Sequence, residues 1–162
     1  MKNFIISFLL IMAVWLLLNA SLSQAVLFSG IIVALLTALF FSVKYPVFRD
    51  IKLNPKAFVY MLIFTLVFIK ELIKSNLDVA RRVISPSIPI NPGIVEVKTN
   101  LKSGIGRLIL ANSITLTPGT LTVDIKDGSL FIHWIDVLSS DKETATREIA
   151  GKFEKYLEVI YG

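Results

Sequence analysis

From Phe4 to Val43 no side chain is ionisable, and the apolar run is interrupted only at Asn19-Ala20-Ser21-Leu22-Ser23-Gln24. A membrane-spanning helix needs about 20 predominantly apolar residues, so this pattern predicts two crossings, near 3–20 and 25–43, joined by a tight turn. Lys2 ahead of the run and Ser23-Gln24-Ala25 behind it also resemble a signal peptide with its cleavage site. The length of the run, Trp15 within it and the immediate start of a second run favour a retained hairpin. A third run, Ala57 to Ile69, follows the basic loop Lys44–Lys56 with its Pro46 and Pro55, and reaches Ile73 across Lys70-Glu71. A run this short stands between a span, an interfacial helix and a buried core helix. With Lys70 snorkelling toward the headgroups, three crossings are expected, and a third helix lying at the interface is the alternative.

Beyond Asp78 the pattern changes. Ser85-Pro86-Ser87-Ile88-Pro89-Ile90-Asn91-Pro92-Gly93 spaces three prolines by three residues, which predicts an extended, semi-rigid linker. Alternation over 94–99 predicts a strand. Ile105, Leu108, Ile109 and Asn112 recur at helical spacing, so a short helix is expected over 103–113, weakened by Gly104 and Gly106. Thr117-Pro118-Gly119-Thr120 has proline and glycine in the order of a type II turn. Strands follow over 121–125 and 130–137, joined through Asp127-Gly128, a strong hairpin signal. Ser140 and Glu143 form a capping box opening a helix whose Ala145, Ile149, Phe153, Leu157 and Ile160 share one stripe. The expected architecture is therefore a helical membrane half, residues 1–75, a basic and proline-rich linker, 76–93, and a small β-α-β-β-α domain of the α+β class, 94–162.

Composition sharpens this division. Of the 162 residues 54% are hydrophobic and 18% charged, with a mean hydropathy of +0.72; soluble domains run at about 45–50% and about 25%. The net charge of +5 divides as +4 over residues 1–56, +2 over 57–93 and −1 over 94–162. The basicity thus belongs to the membrane half, where cations meet anionic headgroups on the cytoplasmic side, and the near-neutral domain lacks the basic stripe that nucleic acid requires. Three crossings would divide the cations about equally between the two faces. Two crossings with an interfacial third helix would gather them on one.

Candidate chemistry is sparse. There is no cysteine and one histidine, which excludes disulfides, thiolate metal sites and cysteine nucleophiles. Gly104-Ile105-Gly106 lacks the third glycine of a dinucleotide fingerprint, and no phosphate-binding loop is present. No elbow motif surrounds any serine. His133, in a strand beside Phe131 and Ile135, reads as a packed or interface histidine, and Asp124, Asp127 and Asp136 read as solvated or turn-forming. No Asp, Glu, Lys, Arg or His lies inside the apolar runs, where ion paths are built from such groups, so conduction by this chain alone is not expected. Gly30, Ala34 and Ala38 are spaced four apart, a pattern that lets helix backbones approach closely in lipid, and they are candidate helix contacts to other membrane subunits. No catalytic, cofactor or metal site is expected.

The run Leu110-Ala111-Asn112-Ser113-Ile114-Thr115-Leu116-Thr117-Pro118-Gly119-Thr120-Leu121-Thr122-Val123-Asp124 resembles the signature of the E subunit of Mrp-type (Mnh) multisubunit Na⁺/H⁺ antiporters, and Leu130-Phe131-Ile132-His133-Trp134-Ile135 is similar to its downstream pattern. The same subunit type also occurs in membrane-bound hydrogenases and related sulfur-reducing assemblies. The resemblance implies a non-enzymatic accessory subunit of the cell membrane, with a cytoplasmic C-terminal domain and other membrane subunits as partners, supporting assembly of a complex whose larger subunits carry the ions. Asn112, Thr115, Thr117, Pro118, Gly119 and Thr120 are then expected to be structural: Asn112 near a helix end, the threonines bonding backbone, Pro118-Gly119 setting the turn.

Overall fold

The computed structural model describes residues 1–45, 48–138 and 141–162. The chain divides into two units, Met1–Ile51 and Lys52–Gly162.

The first unit is a helical hairpin. Helix α1 (Lys2–Asn19) and helix α2 (Gln24–Lys44) are each long and apolar enough to cross a membrane. The polar interruption becomes the turn: Ala20 takes the left-handed conformation, φ 46°, and donates its N–H to the Leu16 carbonyl. Ser23 then caps α2 by accepting from the Val26 N–H at 3.4 Å, the usual role of serine at a helix start. The buried residues of α2 are Gly30, Ala34 and Ala38, so the small-residue face packs within the hairpin. A Cβ on Gly30 would stand 2.6 Å from Cδ1 of Trp15, which is why a side chain is excluded there. Trp15 in turn donates Nε1–H to the Val26 carbonyl at 3.0 Å. At the open end of the hairpin Asn3 links the start of α1 to the end of α2, donating to the Ser42 carbonyl at 3.2 Å and accepting from the Phe48 N–H at 2.9 Å. Lys2 adds a bond to the carbonyl of Ile51.

The second unit opens with α3 (Pro55–Ile84), capped by Asn54, which accepts from the Ala57 N–H at 2.6 Å. It continues through β1 (Gly93–Lys98), α4 (Gly104–Leu116), β2 (Thr120–Lys126), β3 (Ser129–Trp134), α5 (Lys142–Ile149) and α6 (Gly151–Tyr161). The sheet is antiparallel throughout, in the order β1-β3-β2. The β2–β3 turn has positive φ at Asp127 and Gly128, 50° and 82°, as the Asp-Gly pair predicts. Between Thr122 and Asp124 the register shifts by a bulge. Val97, Leu130 and Ile132 of the sheet meet Leu110 and Ile114 of α4 and the stripe Ala145, Ile149, Phe153, Leu157 and Ile160, all of them buried.

The structure adds detail to the pattern and departs from it in places. The third apolar run does not resemble the first two: α3 is not among the helices apolar enough to cross, and one face of it, Tyr60, Phe64, Val67 and Phe68, packs on the core of the α+β domain. The compact units accordingly part at Ile51/Lys52, with α3 on the side of the sheet. The last helix is two helices that meet at Ala150, whose carbonyl accepts from both Phe153 and Glu154. Its cap is Asp141, accepting from the Thr144 N–H at 2.9 Å; Ser140 of the expected capping box lies outside the described residues. The buried face of α4 is Leu110, Ala111 and Ile114, whereas Leu108 is 52% exposed. Of the expected face Asn112 is exposed as well, while Ile105 and Ile109 are half-buried and Ile109 packs against the core. Finally, the linker is not a free extended spacer. Asn91 bridges to Asp136, donating its N–H to the Ile135 carbonyl and accepting from the Val137 N–H.

Candidate functional site

The threonine-rich run closes the C-terminal end of α4. The last carbonyls of any helix lack intrahelical partners, and here hydroxyls supply them. Thr117 Oγ1 donates to the Ile114 carbonyl at 2.7 Å and lies 3.2 Å from that of Ser113. Thr120 Oγ1 donates to the Ile114 carbonyl at 2.6 Å, and further back, inside the helix, Thr122 Oγ1 donates to that of Ala111 at 3.0 Å. Thr115 Oγ1 accepts from the Thr122 N–H at 3.1 Å, which ties β2 to the helix from the other side. Gly119 at φ 95° makes the reversal between them, and a Cβ there would also press on Ile135 at 3.1 Å. The motif is therefore a threonine clamp between helix and sheet. Replacing Thr117 or Thr120 singly with valine should cost about 1 kcal/mol. The double replacement should exceed the sum, because the Ile114 carbonyl keeps one hydroxyl partner after either single change and only the longer contact from the Thr117 N–H, 3.3 Å, after both. Thermal unfolding of the full chain in detergent measures this, and strictly additive losses would mean that the two hydroxyls do not share that carbonyl.

Thr117, Pro118, Gly119 and Thr120 line a cleft of about 270 Å³ with Trp134, Ile135 and Asp136, the α3 residues Glu71, Lys74, Asp78 and Arg82, and Glu148 and Lys152. Arg82 organises one wall. It donates to Asp78 Oδ2 at 2.7 Å, to Asp136 Oδ2 at 2.9 Å and to the Pro89 carbonyl at 2.5 Å. One guanidinium thereby joins α3, the linker and the segment following β3, a task that suits its rigid fork of donors. The hydrogen bonds to Asp78, then to Asp136, hold its pKa above the ordinary arginine value. Glu71 pairs with Lys152 at 3.6 Å across the same cleft. On the outer face of the sheet Glu96 pairs with Lys142 and accepts from Ser129, and these two partners hold its carboxyl below the usual carboxylate range.

Chemically this arrangement joins elements. The acids Glu71, Asp78 and Asp136 are each paired with a cation, and the cleft's threonine hydroxyls donate to main-chain carbonyls. Among the described residues no three His, Cys, Asp or Glu side chains are placed to hold a metal ion. His133 is exposed on the outer sheet face, in register with Ile94 and Leu121. Sequence reasoning placed Thr117, Pro118, Gly119 and Thr120 together, as the structure does. It put Asn112 near a helix end, but Asn112 is exposed a full turn before α4 stops, beside Leu108 and Thr115 in a shallow groove along β2. Gly30, Ala34 and Ala38 are in the hairpin unit. It missed Arg82 and Asp136, because a basic pair in a linker and an acid after a strand carry no local signal of pairing across 54 residues.

Comparison with known proteins extends over nearly the whole of this architecture. The MNHE family, described as a Na⁺/H⁺ ion antiporter subunit, matches residues 8–160. The chain belongs to this family. Among its curated members, the Na⁺/H⁺ antiporter E subunit of Bacillus subtilis strain 168 is 36% identical over 148 residues, 90% of each chain. The corresponding E subunit of Alkalihalophilus pseudofirmus is 47% identical over 90 residues, a match spanning 54% of this chain and 56% of that relative. A chain in the structure of the membrane-bound sulfane sulfur reductase, an archaeal respiratory membrane complex, superposes with a TM-score of 0.82 at 42% identity, covering 99% of this chain and 100% of that one. The match takes in most of the hairpin, α3 and the α+β domain together, so the threonine clamp and the Arg82 junction lie within the matched residues.

Proposed function

We propose that this chain is a non-catalytic accessory integral-membrane subunit of a multisubunit cation/proton (Na⁺/H⁺) antiporter, supporting assembly or stability of the ion-translocating complex. The observation that carries the reading is an apolar hairpin without an ionisable side chain from Phe4 to Val43, in a chain that belongs to an antiporter subunit family. Hydrocarbon is crossed by ions only where polar groups replace their water, so the hairpin serves as a packing element beside subunits that carry the ions. The partners are those other membrane subunits and the bilayer.

The protein resides in the cell membrane. Two crossings return the chain to the side on which it starts, so Lys2, Lys44, Arg49, Lys52 and Lys56 gather on one face. Cations flanking spans favour the cytoplasmic side, which supports a cytoplasmic α+β domain. The cleft between α3 and the threonine clamp is read as a structural joint rather than a substrate site, and alanine at Thr115, Thr117, Pro118, Gly119 and Thr120 is expected to reduce the yield of assembled complex. A second reading is favoured by the 42% identity over essentially the full length to a chain of a respiratory membrane complex: the same subunit type serving in such an assembly.

Affinity purification of the chain from its native membrane in mild detergent, with mass spectrometry of the co-purifying proteins, tests both. Large polytopic antiporter-like subunits are the expected result. Iron–sulfur or nickel subunits among them would assign the chain to the respiratory assembly. Recovery of soluble proteins only would make the α+β domain a membrane-tethered adaptor, and recovery of the chain alone would overturn the subunit reading.

A further inference from the structure

Helix α3 has two apolar faces. Tyr60, Phe64, Val67 and Phe68 point into the α+β domain and pack on its core. About half a turn around the helix runs a second stripe, Phe58, Leu62, Leu66, Ile69, Ile73 and Leu77, whose side chains are 45–68% exposed. A stripe of this length in water would be an exposed apolar patch beyond what a soluble surface carries. Charge is distributed unevenly about it. Lys56, Lys70, Lys74 and Arg81 fall in line along one border of the stripe at the helical repeat, and all four are exposed. The acids of the helix, Glu71 and Asp78, lie on the domain side, where they pair with Lys152 and Arg82.

The packing of the first face sets a crossing at a disadvantage. Tyr60 lies 6.4 Å from Tyr156, Phe64 and Phe68 each lie 6.3 Å from Phe153, and Glu71 reaches Lys152. Helix α3 is thus fastened to α6 over several turns. Were it to span the bilayer, α6 would enter the hydrocarbon with Lys152, Glu154, Lys155 and Glu158, and charges at that depth are strongly disfavoured. A helix that is apolar on its outer face, bordered by cations and anchored from behind fits the plane of the membrane surface.

From these observations we infer that α3 lies on an anionic bilayer surface, its Phe58–Leu77 stripe among the upper acyl chains and Lys56, Lys70, Lys74 and Arg81 against the headgroups, so that the α+β domain is held at the membrane through the opposite face of the same helix. The inference rests on the membrane-subunit reading and names lipid as the occupant of this face.

The chain has no cysteine, so single spin labels can be introduced without a background. Phe58→Cys, Leu62→Cys, Leu66→Cys and Ile73→Cys would be labelled in the full chain, reconstituted in nanodiscs containing phosphatidylglycerol. Leu9→Cys and Leu36→Cys in the hairpin serve as references. Oxygen and nickel-chelate accessibility then give depth. The α3 labels should share one shallow depth, about 5–10 Å below the headgroups, while the hairpin labels lie deep. In zwitterionic nanodiscs, or with Lys56, Lys70 and Lys74 all replaced by glutamine, the α3 signal should shift toward water and the hairpin signal should stay. A depth that passes through a maximum along α3 would make it a third crossing and overturn the inference. Labels shielded from both reagents would mean a protein covers the stripe, with the same consequence. If the hairpin labels also report water, the membrane-subunit reading itself fails, which separates the two.

Discussion

Phe153→Ala is expected to lower the stability of the α+β unit by about 3–5 kcal/mol, the range for removing a large aromatic side chain from a packed core. Phe153 is 2% exposed and sits where three layers meet. Its ring lies 6.3 Å from those of Phe64 and Phe68 on α3, the first edge-on at 70° and the second tilted at 53°, and it belongs to one buried cluster with residues of α4, α5 and the sheet. The alanine variant therefore loses the core contacts and the fastening of α3 at once. Thermal unfolding of the full chain in detergent reports the first loss, and limited proteolysis within 55–84 the second. Phe153→Leu, which keeps most of the volume, should recover more than half of the difference. A loss below about 1 kcal/mol with α3 still protected would mean that the domain does not hold the helix through this ring.

Gly30→Leu should open the membrane hairpin. The Cβ position at Gly30 is 2.6 Å from Trp15 Cδ1, 2.9 Å from Nε1 and 3.2 Å from the Met12 sulfur, distances that require the indole to move. Moving it breaks the Nε1–H bond to the Val26 carbonyl, and in lipid no water replaces that partner. Overpacking of this kind costs about 1–3 kcal/mol. A cysteine pair at Asn3 and Ser42, whose parent residues are hydrogen-bonded at 3.2 Å, reads the closed hairpin as cross-linking yield, which should fall severalfold in Gly30→Leu. Trp15→Ala combined with Gly30→Ala should restore it, because the clash has then lost one of its members. Undiminished cross-linking in Gly30→Leu would show that the hairpin is held from outside.

Legibility in the sequence follows the range of the interaction. Gly30, Ala34 and Ala38 were readable as a packing face because the helical period places them together, but their partner was not: the pattern was assigned to other subunits, and the structure buries it in the same hairpin. The threonine clamp was readable in outline, since hydroxyls near a helix end and a Pro-Gly pair have few other uses. Which carbonyl each hydroxyl takes depends on the path of β2 over α4. Arg82 illustrates the opposite limit. Its three acceptors come from Asp78, Pro89 and Asp136, and only the first is within reach along one helix.

What the sequence determined by itself was periodic or local: the two uncharged apolar helices, the strands and the Asp-Gly hairpin, the stripe from Ala145 to Ile160 and the family signature. Each follows from residue type at fixed spacing, which backbone geometry converts directly into a face or a turn. The tertiary structure decided the rest. It turned α4 so that Leu110 and Ile114 face inward, broke the last helix at Ala150, and drew the linker down onto the strand end at Asp136. Above all it packed one face of α3 on the core of the α+β domain. A run of apolar residues specifies that a surface must leave water; whether it meets lipid or protein is decided by the shape and charge of what lies opposite. For α3 that is α6, with Phe153 to pack against and with Lys152 and Glu154, which hydrocarbon would not accept.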